Sequence, residues 1–503
     1  MNEFDALIVA NSPGGWVAAI TLAQAGRKAA LLDRVKAVPG GLIPRGGIFL
    51  QVFPALEQRL KREDQLFQFV APGHRFGIPS VYHRFLSEIG FEFPELQGEL
   101  EPVFARVQDS GRTVSDYFRI WGVETKRPDH RTLDGKFFEN LSLWRQYQQV
   151  RHLNLNNLNQ GLSRSRPLCR MLESPGRFSS GLFWKEEEEE MGAFSAYYRQ
   201  AFFPLFSPHE SKVGLVGLEE IMTALRRMAR ELKIEVLNPG VPVSPGDPEP
   251  GPGEETLQFK LTTVRQIKKR TEFHSWGSQG EEKPVNFRSL IWSGNSRGFI
   301  RSLPETLRKA RGVKLFARHL GALEIGYLLD SLEIKVKAEV IPVGMEKRLF
   351  VIGEPDQGQT DENLIYLEVL PLQESNREEG DSRYPGESGN LLIRAAYFRS
   401  VSKSAEEVSQ QVMKKVGWLI PFLKEFQVGE PTLKKGEELT DYGSSIWSNR
   451  RGLNRGKLSI PAGKAGIFYS GRELLPALGF EADLLSGLVT AWSLEKWLRK
   501  ISK

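Results

Sequence analysis

The sequence predicts an α/β protein of two domains, one built on a strand–helix–strand unit and a second carrying further strands and helices. Three observations predict it. An apolar strand at the start runs through a Pro/Gly turn into a helix of small residues and then a second apolar strand ending on an acid. A strand, a glycine-containing loop and an apolar helix stand near the other end. Between them lie strand-like segments, several alternating apolar and polar residues, in a chain of 503 residues, long enough for two domains.

The first unit begins with 4–10, FDALIVA, which reads as a short buried strand. The turn is Asn11-Ser12-Pro13-Gly14-Gly15, the helix 16–25, with Gly26 as its C-terminal cap, and the second strand 28–32, closed by Asp33. A strand–turn–helix–strand–acid unit of about thirty residues is the setting in which a dinucleotide fingerprint has meaning. That fingerprint asks for glycine at three places: for the tight turn, for approach of a diphosphate to bare backbone, and for packing of helix on strand. Here these positions are Ala10, Ser12 and Gly15, with Gly14 beside the third. Ser12 sets a β-carbon and a hydroxyl where a diphosphate would touch backbone. The hydroxyl can also donate to a phosphate, so the turn alone leaves open both nucleotide binding and a purely structural unit. Asp33 stands where a carboxylate accepts ribose hydroxyls. After it come Arg34, the pair Gly40-Gly41, and Arg45-Gly46-Gly47.

At the other end, 464–493 reads KAGIFYSGRELLPALGFEADLLSGLVTAWS. Ile467, Phe468 and Tyr469 form a strand that Gly471 ends; a loop spans 476–480; an apolar helix follows, with Ser486 and Gly487 expected in its first turns. Taken with the first unit, this pattern resembles the FAD-dependent amine-oxidase and phytoene-desaturase superfamily. The resemblance spans the chain, with motif-grade matches at the termini. It implies a Rossmann-like, glutathione-reductase-type FAD-binding domain and a mixed-sheet substrate domain covering the flavin. It also implies cofactor contacts at Ala10, Ser12, Gly14, Gly15, Asp33, Arg34, Gly40, Gly41, Gly471, Arg472, Gly479 and Ser486. The chain departs from the family at Ala10 and Ser12, and at Arg472, which replaces the aspartate that meets the ribitol chain. Arginine donates only and cannot accept a hydroxyl proton.

The middle follows the same plan. Gly214 to Gly217 lead into a helix over 218–232 and a strand over 234–237, the unit that in the family returns beside the nucleotide strands and would bring Val243 near an adenine. Further strands are expected at 257–264, 287–292, 332–340, 348–353, 364–370 and 391–398. A helix over 404–426 carries acids early and lysines late, and Pro421 should kink or end it. The nucleotide domain is accordingly expected from 1–75, 205–300 and 451–503, the substrate domain from 76–204 and 301–450, with 238–256 a flexible Pro/Gly-rich insertion. The run Glu186 to Glu190 reads as a solvated helix face. The aromatic stretch 194–206 reads as core, with a lid or a membrane-dipping helix as the alternatives.

Composition narrows function. A net charge of +6 is too weak for nucleic acid, though compatible with contact at an anionic membrane surface. Cys169 is the only cysteine, which excludes an intrachain disulfide, and the histidines show no ligand spacing, so no metal is expected. No apolar run reaches the ~18 residues of a membrane span, and acidic residues near Met1 argue against a signal peptide, so a cytoplasmic location is expected, with membrane-peripheral contact left open. No catalytic acid or base stands out. Two readings follow: a homologue with weakened or lost flavin binding, acting as a non-catalytic binding or partner subunit, and an active FAD-dependent oxidoreductase on an apolar small molecule.

Overall fold

A computed structural model describes residues 3–35, 41–60, 67–123, 137–180, 191–206, 214–237, 265–267, 270–275, 285–294, 296–303, 305–309, 311–320, 325–357, 360–372, 389–436, 445–447, 466–475 and 478–501. Gly40, Val243, the insertion 238–256, the strand expected at 257–264 and the glutamates 186–190 lie outside the described residues.

The parallel sheet has the order Ile467–Ser470, Leu290–Ser293, Ala6–Ala10, Ala29–Asp33, Glu235–Leu237. Every neighbouring pair in it is parallel. The order reverses between Ala6–Ala10 and Leu290–Ser293, and a doubly wound sheet places its ligand crevice at the carboxyl ends of the strands at such a reversal. The first helix, Pro13–Gln24, opens with proline at its first position, which needs no amide partner there. It ends as expected: Gly26 takes a φ of 76°, and the Arg27 amide donates to the Leu22 carbonyl. Gly15 lets this helix close on its strand, because a Cβ there would lie 2.6 Å from the Ala10 Cβ.

The helix Gly479–Ile501 crosses the first helix and packs closely on it. The crossing needs two glycines: a Cβ on Gly487 would collide with the Gly14 carbonyl oxygen, and one on Gly14 would meet the backbone and carboxylate of Asp483. The segment expected as one strand over 287–292 is two. Val285–Phe287 belongs to a separate four-stranded sheet with Glu3–Phe4, Arg270–Ser275 and Arg265–Ile267, and Leu290–Ser293 enters the parallel sheet. Arg288 and the buried Ser289 separate them, and the Ser289 hydroxyl donates to the Asp5 carbonyl.

The mixed sheet runs Thr432–Lys434, Ile325–Lys337, Asn390–Ser400, Leu364–Pro371, Arg348–Ile352, Phe67–Ala71, His74–Ile78, and Ser445–Trp447 also pairs with Ile325–Lys337. Only Arg348–Ile352 and Phe67–Ala71 pair in parallel. The hairpin 67–78 thus belongs to the mixed sheet, so the chain leaves the nucleotide sheet before Phe67 and not at the expected boundary of 75. The reason is pairing: Phe67 stacks on Phe350 of the next strand, and Phe69 meets the same ring at a tilt.

The two faces of this sheet are chemically distinct. One is aliphatic: Ile334, Val336, Ile365, Leu367 and Ile393 pack with Val408, Val412 and Val416 of the helix Ala405–Leu419. Ser404 caps that helix by accepting from the Glu407 amide, and the helix stops before Pro421, as expected. The other face is aromatic, with Phe67, Phe69, Phe350, Tyr366 and Phe398 meeting Phe178, Phe202 and Phe203 from the helical layer. The helix Met191–Phe202 is buried along nearly its whole length, so the aromatic stretch is core, with only Phe206 at its end exposed. Among the described residues, no helix is long and apolar enough to cross a membrane.

Candidate functional site

The crevice at the sheet reversal is framed by the Ser12 turn, the end of Leu290–Ser293 and the helix Gly479–Ile501. The Gly14 amide donates to Asp483 Oδ2 at 2.5 Å, and the Ser12 hydroxyl donates to Asp483 Oδ1 at 2.8 Å. Ser12 Oγ also lies 2.5 Å from Ser293 Oγ. Asp483 is wholly buried, as is Ser12. The amide and helix dipole that attract an anion at this turn are therefore engaged by a carboxylate of the same chain. Gly294 completes the cradle with a left-handed φ of 68°, close against the Ser12 side chain.

The acid at the end of the second strand is also engaged. Asp33 Oδ1 accepts from Trp16 Nε1 at 3.2 Å and from the Val35 amide at 3.1 Å, and Oδ2 meets Arg226 Nη2 at 3.4 Å. The Arg226 guanidinium also lies over the Trp16 ring. Arg34 continues the chain by donating its amide to the Ala10 carbonyl.

Further along the C-terminal helix, Glu481 accepts from the Phe49 amide at 2.6 Å and from the Tyr197 hydroxyl, while that hydroxyl accepts from the Ile48 amide. Gly47 gives room for this contact, since a Cβ there would lie 2.6 Å from Glu481 Oε1. Burial raises the Glu481 carboxyl to about 7, against the lowering pull of its Tyr197 and amide donors. Burial, reinforced by the Glu481 charge, holds the Tyr197 hydroxyl well above its ordinary value. Arg45, in the glycine-rich loop, is buried and sits 3.9 Å from Glu220, and Gly41 accepts from the Leu218 amide.

Arg472 is one of the largest fully buried side chains, with its guanidinium 5.7 Å from the centre of the Phe480 ring. Gly471 before it is hemmed in by the Tyr469 hydroxyl, which donates to Glu473 at 2.7 Å. The C-terminal helix starts at Gly479, whose φ is 50°, so Ser486 and Gly487 lie well inside the helix and not in its first turns. Ser486 Oγ bonds the Asp483 carbonyl and Ser470 Oγ. The structure thus gathers Ser12, Gly14 and Gly15 on one side with Ser486 on the other, and pairs Asp33 with Ala10 on the neighbouring strand, where its carboxylate meets Arg226.

Asp483, Glu481 and Tyr197 are the residues that motif reading missed. The signal was present: two acids in the otherwise apolar run 479–494 must find donors if the helix is buried. A further buried group joins the helices Arg166–Ser179 and Met191–Phe202. Glu173 lies 3.4–3.6 Å from Arg170, Arg177 and Arg199, and Asn159 bridges Glu173 and Arg199. Cys169 donates weakly to the Leu162 carbonyl. Among the described residues, no His, Cys, Asp and Glu cluster is suited to a metal ion.

No protein-family model and no curated protein matches the sequence. Solved structures do match over the full chain. Putrescine oxidase, wild type bound to putrescine, aligns with a TM-score of 0.52 at 13% identity, covering 100% of both chains. Cyclohexylamine oxidase from Brevibacterium oxydans IH-35A aligns with a TM-score of 0.51 at 11% identity, covering 99% of this chain and 100% of its own. PF1083 protein from Pyrococcus furiosus aligns with a TM-score of 0.51 at 11% identity over 100% and 98%. The chain has the fold of these two amine oxidases, a Rossmann-like parallel sheet joined to a mixed-sheet domain.

Proposed function

We propose that this protein is a non-catalytic member of that fold, a binding or partner subunit whose dinucleotide site is closed by its own side chains. One observation carries the reading: the Asp483 carboxylate accepts from the Gly14 amide and the Ser12 hydroxyl at the helix terminus where a diphosphate would bind. A diphosphate entering that turn would meet a buried carboxylate, and like charges at hydrogen-bond distance in a site shielded from water repel strongly. Ser12 and Asp483 would both have to move, and Glu481 and Arg472 fill neighbouring space on the same helix and loop. These residues do not fit FAD in this arrangement, so no redox step is derived through it.

The test is direct. The protein is purified and examined for the yellow colour and visible absorption of flavin, before and after incubation with FAD. The reading expects a colourless protein that stays colourless. Stoichiometric flavin in the wild-type chain would overturn it. That outcome would support the second reading, a flavin-dependent oxidoreductase, which the retained Asp33 at the strand end and the likeness to amine oxidases favour.

A further inference from the structure

A cleft of about 410 Å³ opens on the mixed-sheet domain, where the turn of the hairpin 67–78 meets the ends of the helices Tyr82–Glu92 and Ala405–Leu419. Gly73, His74 and Arg75 line it from the hairpin, Glu92 from the first helix, and Trp418 and Leu419 from the second. None of these residues belongs to the crevice at the sheet reversal.

The polar groups of the cleft are held in place without being used up. Glu92 Oε1 accepts from the Arg75 amide at 3.1 Å and from His74 Nδ1 at 3.0 Å. A carboxylate only accepts, so Nδ1 carries the proton and the neutral ring keeps a lone pair on Nε2. The same ring stacks on Phe93, with centroids 4.4 Å apart. Arg75 Nη2 donates to Gln68 Oε1 at 3.0 Å and to the Gly344 carbonyl at 2.7 Å. Among the described residues, no hydrogen bond reaches Glu92 Oε2, His74 Nε2, or Arg75 Nε and Nη1. The cleft thus sets two acceptors and a donor side by side on side chains that are already ordered, so engaging them costs little further side-chain entropy.

The other wall is aromatic. Trp418 is 69% exposed, which leaves a flat apolar surface open beside those groups. Arg75 and Glu92, the residues of fixed charge in this lining, have opposite signs, so the cleft selects neither an anion nor a cation. What it suits is a neutral ligand with an apolar face and a rim of hydroxyls. A hydroxyl accepts and donates at once, so a single one can bridge Arg75 and Glu92.

We infer that this cleft binds a neutral pyranose sugar, its C–H face stacked on Trp418 and its hydroxyls hydrogen-bonded to Glu92, His74 and Arg75. The site is independent of the flavin question, because it shares no residue with the crevice.

The experiment is saturation-transfer NMR of the full chain with the methyl pyranosides of glucose, galactose, mannose and N-acetylglucosamine. Benzoate, tetramethylammonium and adenosine stand for the anionic, cationic and planar alternatives. At least one pyranoside should receive saturation, most strongly at the C–H protons of one ring face. Trp418→Ala should weaken its binding about tenfold and Glu92→Gln about threefold. Trp418→Phe keeps a smaller platform and should recover part of the loss. Trp418 is exposed, so the thermal midpoint of Trp418→Ala should match that of the wild type, which separates lost binding from lost folding. If that midpoint falls, Trp418→Phe and Glu92→Gln carry the same comparison. A wild-type chain that binds none of the pyranosides would overturn the proposal, as would pyranoside binding that these variants leave undiminished. So would binding of benzoate, tetramethylammonium or adenosine in place of the sugars.

Discussion

The Gly14 amide and the Asp483 carboxylate, at opposite ends of the chain, meet at 2.5 Å where the first helix begins. This contact joins the two motifs that mark the fold and sets the chemistry of the crevice between them. It is an internal neutralisation of a helix N-terminus, of the kind a bound anion supplies elsewhere.

If that contact closes the nucleotide site, repairing the glycine fingerprint alone will not open it. The variant Ala10→Gly, Ser12→Gly, Arg472→Asp should remain colourless with FAD, because Asp483 still faces the turn. Adding Asp483→Ala should give measurable flavin uptake in a fluorescence-quenching titration. Uptake by the first variant with Asp483 intact would mean that the carboxylate does not limit access.

The same contact should also be visible in stability. Asp483→Ala strands the buried Gly14 amide and takes one partner from the buried Ser12 hydroxyl, at a cost of about 2 kcal/mol in urea unfolding. Asp483→Asn keeps one acceptor oxygen and should cost about half as much. Equal effects would point to side-chain packing and not to hydrogen bonding.

Glu481 predicts a pH dependence. Its folded carboxyl titrates at about 7 against an ordinary 4.5, because burial favours the neutral form. The folded state therefore holds the proton more tightly than the unfolded state, and this contribution to stability is full below pH 4.5 and is lost as the pH rises to 7. Relative to Glu481→Gln, which cannot ionise, the wild type should lose on the order of 3 kcal/mol across that interval. Urea midpoints of both proteins across this range measure it; parallel curves would contradict the assignment.

Two glycines in helices offer a contrast. Gly487→Ala drives a methyl into the Gly14 carbonyl and should cost about 3 kcal/mol, since overpacking against backbone has no rotamer to relieve it. Gly417→Ala, whose Cβ would meet nothing within 4 Å, should stabilise by about 0.5 kcal/mol through helix propensity. Thermal midpoints moving in opposite directions would bear out both.

Much of the fold was legible because local pattern and global architecture agree. Ala6–Ala10, Ala29–Asp33 and the helix Leu218–Glu231 sit within a residue or two of where periodicity and turn chemistry put them. Ser12 and Arg472 were legible as departures from a motif, but not in their consequences. Asp483 acquires its partners only when two helices hundreds of residues apart cross, and no local signal specifies that crossing. The split of 285–293 into two sheets and the transfer of 67–78 to the mixed sheet were hidden for the same reason: both depend on which strand is available as a neighbour.

The covering of the first helix by the last has a consequence for biosynthesis. Helix Pro13–Gln24 leaves the ribosome hundreds of residues before Gly479–Ile501, the surface that buries it. At about 5–20 residues per second the apolar face of the first helix waits roughly 20–90 s for its cover. A premature stop before Gly479 would leave the first helix uncovered, so such nonsense mutations should be as damaging as missense ones within Pro13–Gln24.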